Sequence, residues 1–223
     1  MRQRIIHCKL TTDVRYIGGA DLTVEDDLMI GCLVVVDVKN SLNPIYKKCT
    51  KVNVDVPYIP GLLCFREGPV VVQLYNEFKE LCPDANIDVL LVDGCGEWHP
   101  RGFGLACYVG IACGIPTIGV SKSFLYVGSE HHGKEIHKIA QIECKNFGDA
   151  MKLHHQLQDG YSIDCAVLRT TQSHPFNPIF VSVGHMIDYD SSVEIVKSLC
   201  KFREPEPLRL ADRISREFVR KHK

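Results

Sequence analysis

No run of eighteen apolar residues occurs in the 223-residue chain, so no membrane-spanning helix is expected. The first residues, MRQRIIHCKLTTD, lack the apolar centre of a signal peptide, and secretion is not expected either. Internal repeats and low-complexity linkers are missing. Cysteine is plentiful at eleven, but CxxC pairs and zinc-type spacings are absent. The count is odd, and Cys32, Cys107, Cys113 and Cys165 sit inside apolar segments. Reduced, buried thiols in the cytoplasm or nucleus fit that usage.

Composition is otherwise ordinary, at 45% hydrophobic and 24% charged, and a single domain over residues 1–223 is expected. A formal net charge of −1 conceals an asymmetry. From Lys201 onward eight Lys or Arg stand against four Asp or Glu. Such a tail could meet phosphate, but composition favours the solvated face of a terminal helix.

Residues 15–24, 29–38 and 45–54 are rich in Val, Ile and Leu and read as a three-stranded antiparallel meander. GPVVVQLYNEFKELC (68–82) has a helical period, with Pro69 suited to a first turn. NIDVLLVDG (86–94) is a continuous apolar run, as in a strand buried on both faces. GFGLACYVGIACG (102–114) reads as a helix ended by Gly114, and PTIGV (116–120) as a short buried strand. After a polar stretch, 162–170 and 178–184 read as a hairpin, and 190–202 and 208–222 as closing helices. Three antiparallel strands followed by helix, strand, helix, strand predict an α/β domain, with one mixed sheet and helices on both faces. The ribonuclease H-like arrangement shares that order.

Three acids stand out. Asp21, in YIGGADLTV, lies within a predicted strand, where Asp is disfavoured. It could face water from an edge strand or accept a close-approaching group beside its glycines, and the segment alone leaves both open. Asp93 ends VLLVD, and ligands of open α/β sheets gather outside strand carboxyl ends. The alternative is a turn aspartate before Gly94. Glu67 stands just before Gly68 and Pro69, where a helix-dipole acid is the plain explanation. Three such carboxylates brought together would repel unless neutralised, and hard divalent cations with oxygen ligands do this. Asp37 also ends a strand, but Lys39 and a turn follow, and it reads as structural.

Other groups could join them. His99 (HPRG) and His185 (SVGHMID) each follow a predicted strand, in loops expected to reach the same end of the sheet. Lys122, directly after PTIGVS, could bind phosphate as a point charge or simply be an exposed lysine. His131, His132 and His137 lie in a polar stretch and read as solvated.

PYIPGLLCFREGP (57–69) poses a different question, since it sets two prolines, a tyrosine and an isoleucine in an apparently exposed connection. Together with IGGADLT, VDGCGEWHPRGFGLACYVGI, PTIGVSK, SVGHMI and FREPEPLRLAD it resembles the endonuclease V family, in order and over roughly residues 16–220. The resemblance implies that Asp21, Glu67 and Asp93 hold Mg²⁺, with Mn²⁺ able to substitute, and that Asp37 lies outside the site. It implies that PYIPG is a wedge that separates nucleotides while hypoxanthine turns into a pocket. Pro57 and Pro60 would hold Tyr58 and Ile59 outward, and the Tyr58 ring would replace lost base stacking. Main-chain groups around Gly61, Leu63, Gly94 and Gly96 would read the base.

The resemblance therefore implies a metal-dependent endonuclease that cuts the second phosphodiester bond 3′ to inosine and leaves 3′-hydroxyl and 5′-phosphate ends. Lys122 would neutralise phosphate, His99 would lie near the scissile phosphate, and His185 would support metal or water. HPRGFGLACYVGI resembles animal members, which implies inosine-containing single-stranded RNA as substrate. The alternatives are repair of deoxyinosine in DNA and a non-cleaving inosine-RNA module. A monomer in the cytoplasm, or also in the nucleus, is expected, with no membrane partner. Two departures stand out. Only about seventeen residues precede the GGAD strand, where the family has a helix, so that contact is expected to be weak. Ser123 stands where a second lysine is frequent.

Overall fold

The computed structural model describes residues 1–11, 13–25, 28–53, 56–57, 59–130 and 132–221. An eight-stranded sheet runs through the molecule. Its strands are β1 (Tyr16–Glu25), β2 (Leu28–Asp37), β3 (Asn43–Asn53), β4 (Val89–Asp93), β5 (Thr117–Ser121), β6 (Ala150–Gln156), β7 (Ser162–Leu168) and β8 (Ile179–His185). They lie in the order β3-β2-β1-β4-β5-β8-β7-β6. The meander is antiparallel, β1, β4 and β5 run parallel, and β8, β7 and β6 return antiparallel. This is the ribonuclease H-like arrangement expected from the order of elements.

Two apolar layers cover the sheet because successive strand residues face opposite ways. On one face Ile17, Val34, Leu91 and Val181 pack with α4 (Tyr189–Leu199) and α5 (Glu206–Lys221) through Val193, Val196, Leu208 and Ala211. On the other, Ala20, Leu33, Leu90 and Val92 meet α1 (Leu63–Leu81) and α2 (Leu105–Cys113) through Leu74, Phe78 and Val109. A third cluster joins α3 (Gly133–Glu143) to β7 and β8 through Ile136, Ala140, Cys165, Val167 and Phe180. Among the described residues no helix is long and apolar enough to cross a membrane.

The structure departs from the sequence pattern in three places. Helix α1 begins at Leu63, five residues before the expected start, so Pro69 lies in its second turn and Glu67 inside the helix. Proline there leaves the Phe65 carbonyl without its helical donor and crowds it, a cost that the packed face of α1 outweighs. Helix α3 and strand β6 fall in the stretch read only as polar. Strand β6 is at the sheet edge and alternates half-buried with exposed residues, and α3 buries only Ile136 and Ala140. Ahead of β1 stands a one-turn 3-10 helix, Arg2–Arg4, and then extended chain whose Ile6 carbonyl accepts from Met186 N–H at 2.7 Å. The basic residues of α5 mostly pair along their own helix, Arg209 with Glu206 and Arg216 with Asp212.

Candidate active site

Register brings the two strand acids together. Ala20 on β1 pairs with Val92 on parallel β4, so the following residues, Asp21 and Asp93, stand side by side. Their carboxyl groups lie within hydrogen-bond reach. Asp21 is only 4% exposed. Ser215, on the inward stripe of α5, donates its hydroxyl to Asp21 Oδ2 at 3.0 Å. Burial first, and the Asp93 charge second, push the Asp21 carboxyl up to about 7, and Asp212 adds to the effect.

Glu67 approaches from α1. Burial raises its carboxyl to about 7, with Arg66 opposing and Asp93 reinforcing the shift. Lys122 Nζ lies 3.0 Å from Asp93 Oδ2 and 3.2 Å from Glu204 Oε2. Burial works against its charge, but the two carboxylates outweigh it and raise the Lys122 pKa. The site thus holds Lys122, expected there as a phosphate binder, paired with two of its acids, a partial compensation of their charge.

Glu67 and Asp93 sit on the wall of a cavity of about 710 Å³, with Pro60, Gly61, Leu63, Gly94, His99, Arg101 and Leu105 among its other lining residues. That wall is largely apolar beside the acids, as a pocket for a flat base would be. Ile59 and Pro60 form the entry turn, in which Leu62 N–H donates to the Ile59 carbonyl at 3.0 Å and Gly61 takes φ +75°. Only glycine adopts that angle without strain. Pro57, Ile59 and Pro60 are exposed. Tyr58, the proposed stacking residue, lies outside the described residues, as does His131. Arg101 Nη1 donates to the Gly61 carbonyl at 2.7 Å, tying the HPRG loop to this turn.

His99 is buried at the cavity wall, and its Nδ1 accepts from Arg101 N–H at 3.2 Å. Burial and the Arg101 charge lower its pKa. A neutral ring accepting at Nδ1 carries its proton on Nε2, which makes His99 a donor.

Two expected members are elsewhere. Strand β8 runs antiparallel to β5, so His185 pairs with Thr117 whereas Phe180 pairs with Ser121. His185 therefore stands at the far end of β5 from Lys122, roughly 16 Å of strand away. Its Nδ1 accepts from Ile6 N–H at 3.3 Å, which makes it an anchor for the N-terminal segment. Gly96 lies behind the cavity wall, donating its N–H to Ser182 Oγ at 2.9 Å. A Cβ on Gly96 would come 2.0 Å from the Val183 carbonyl oxygen, so close packing requires glycine there. Asp37 is occupied in the meander, accepting from Lys39 N–H at 2.9 Å and pairing with Arg15. The sequence reading gave no role to Ser215, Asp212 and Glu204. One signal for Ser215 was available, a hydroxyl in line with Leu208 and Ala211 on an otherwise apolar helix stripe.

Among the described residues no three His, Cys, Asp or Glu side chains close to metal-binding distances. Asp21 and Asp93 are in contact, while Glu67 meets Asp93 through its field. The donors are all carboxylate oxygens, and two have raised pKa values, as acids short of countercharge do. A hard divalent cation fits that donor set.

The family model for Endonuclease V matches residues 1–213. Endonuclease V of Mus musculus is 37% identical over 209 residues, which cover 92% of this chain and 60% of the mouse protein. The Homo sapiens protein is 36% identical over 92% of this chain and 72% of its own length. This chain thus spans less than two thirds of the mouse relative. The crystal structure of the human protein superposes with a TM-score of 0.89 at 31% identity, over 99% of this chain and 94% of that one. Ciona intestinalis Endonuclease V, in complex with a 24mer DNA containing an inosine followed by a ribo-adenosine, gives 0.88 at 28% identity over 100% and 94%.

Proposed function

The chain belongs to the endonuclease V family, and from that premise we propose that it is a metal-dependent endonuclease for inosine-containing single-stranded RNA. The observation that carries this reading is the convergence of Asp21, Asp93, Glu67 and Lys122 beside a largely apolar cavity entered past the Pro60–Gly61 turn. Asp21, Glu67 and Asp93 would hold Mg²⁺, or Mn²⁺ in its place, which would supply charge neutralisation and an activated water at the scissile phosphate.

The chain's own groups divide the remaining work. Ser215 fixes the Asp21 carboxylate through its hydroxyl. Lys122, tethered between Asp93 and Glu204, would offer its ammonium to a phosphate oxygen of the strand. His99 would donate from Nε2 to a second oxygen near the cut. Extruding the base costs a few kcal/mol of stacking, roughly, which contacts in the cavity and stacking on the wedge would offset. Gly61, Leu63 and Gly94 line the cavity, and their main-chain groups would read the hypoxanthine edge. Gly96 acts indirectly, by holding the wall against β8. Cleavage would fall at the second phosphodiester 3′ to inosine.

That cut places the nucleotide 3′ to inosine directly before the scissile phosphate. The Ciona protein was crystallised with a ribonucleotide at that position. Its 2′-hydroxyl is the group that distinguishes RNA from DNA at a given site. Aligned beside the phosphate, it would act on the rate more than on the affinity. The test is an inosine-containing RNA carrying a single 2′-deoxy substitution moved along the strand. A sharp loss of rate at the nucleotide 3′ to inosine supports the reading. Equal cleavage of an all-DNA strand at matched salt would replace it with repair of deoxyinosine in DNA.

A further inference from the structure

Asp21, Cys32 and Cys49 form one row across the first three strands, since Asp21 pairs with Cys32 and Cys32 with Cys49. Residues directly opposite on neighbouring strands point to the same face of a sheet, so the two thiols stand beside each other and next to an acid of the site. Among the described residues they are the only cysteine pair that a strand ladder sets in register. Cys32 is fully buried and Cys49 half-buried. The ladder is regular here, its irregularity falling between Val35 and Val36.

Opposed residues of an antiparallel pair have Cα atoms about 4.5–5.5 Å apart, inside the range of about 4.4–6.8 Å that disulfides span. A sulfur–sulfur bond can therefore close without rebuilding the strands. We propose that Cys32 and Cys49 form a reversible cross-strand disulfide under peroxide, and that closing it turns down strand cleavage. The second half rests on the reading of the site given above.

The steps balance with hydrogen peroxide as oxidant. The accessible thiol, Cys49, takes one peroxide oxygen to become a sulfenic acid, and water leaves. The Cys32 sulfur then attacks the Cys49 sulfur, its proton goes to the departing hydroxyl, and a second water leaves. Both thiols are oxidised and one peroxide is reduced. A dithiol reductant reverses the bond by exchange.

The consequence for Asp21 follows from lengths. Cross-strand Cβ atoms lie about 4.5–5.5 Å apart, whereas a disulfide holds them near 3.8 Å, so Cys32 is drawn toward β3 by up to about 1 Å. Asp21 is the neighbour of Cys32 on the opposite side. A misplacement of about 1 Å in a catalytic group can cost about a hundredfold in rate.

The experiment treats the full chain with hydrogen peroxide, blocks remaining thiols with an alkylating reagent, and maps the digest by mass. The exposed Cys8 reports that the oxidant has acted. A Cys32 peptide joined to a Cys49 peptide, lost on dithiothreitol treatment and missing in Cys49→Ser, is the expected result. Alkylated Cys32 and Cys49 beside an oxidised Cys8 would overturn the cross-link. In parallel, cleavage of an inosine strand should fall about 10–100-fold in the cross-linked protein, recover with dithiothreitol, and resist peroxide in Cys49→Ser. Unchanged cleavage by cross-linked protein, or equal loss in Cys49→Ser, would overturn the control. Reduced protein that cleaves no inosine strand would instead refute the functional reading, while the mapped linkage stands by itself.

Discussion

Replacing Asp21 by Asn exchanges a buried carboxylate for an amide of the same shape at the point of greatest crowding of like charge. The Asp21 carboxyl rises from 3.8 to about 7 on folding, through burial and then Asp93. A carboxyl raised in the fold contributes stability that is complete below its unfolded value and is lost as pH climbs through the folded one. The wild-type protein without metal should therefore lose stability between about pH 4 and 7. A shift of that size sets a ceiling of about 4 kcal/mol on the loss. Asparagine avoids the ionisation. Its oxygen can still accept from Ser215, and its amino group can donate to Asp93. Part of the ceiling is spent on desolvating the amide, so a gain of about 1–3 kcal/mol at pH 7.5 is expected. For a chain of this size that is about 2–12 °C in melting temperature. Mg²⁺ should then raise the wild-type melting temperature and leave Asp21→Asn nearly unmoved, because a ligand stabilises only the fold that binds it. Cleavage should be abolished. The assay is thermal unfolding across pH 4–8 with EDTA or Mg²⁺. An Asp21→Asn protein that melts below wild type at pH 7.5 in EDTA, with a parallel pH profile, would mean that the Asp21 charge does not strain the fold.

Other substitutions separate the site from its scaffold. Asp37→Ala should cost about 1 kcal/mol through the lost cap on Lys39 N–H, with cleavage near wild type. Gly96→Ala should cost about 1–3 kcal/mol, because its methyl meets the Val183 carbonyl, and a melting curve equal to wild type would contradict that packing. His185→Ala should loosen the first residues, seen as faster amide exchange at Ile6, while single-turnover cleavage changes less than about threefold. A collapse of cleavage with unaltered exchange would return His185 to the chemistry.

How much was legible beforehand follows strand physics. The meander, β4, α2 and β5 announce themselves by alternation or by continuous apolar runs, and Gly114 closes α2 where expected, at φ +68°. Asp21 and Asp93 stood out because an acid is out of place in a strand or at the end of a buried one. Their adjacency was invisible, since it depends on β1 and β4 being parallel neighbours in register. The same limitation misplaced His185, because only the antiparallel direction of β8 carries it to the other end of the sheet. Gly96 resembled a pocket glycine, but its constraint comes from Val183, distant in sequence. Edge strand β6 and half-exposed α3 bury little and are mostly polar, so their periods went unread in a polar stretch. Ser215, Asp212 and Glu204 become part of the site only once the C-terminal segment folds back across β1 and beside Lys122.

The most direct measurement is single-turnover cleavage of two matched RNA strands, identical except for inosine or adenosine at one position, with Mg²⁺ or with EDTA. Products are mapped to single-nucleotide resolution for the wild type and for Asp21→Asn, Glu67→Gln and Asp93→Asn. One cut is expected, at the second phosphodiester 3′ to inosine, only with metal and only in the wild type. Cleavage of the adenosine strand at the same rate, cutting in EDTA, or an active Asp93→Asn protein would contradict it.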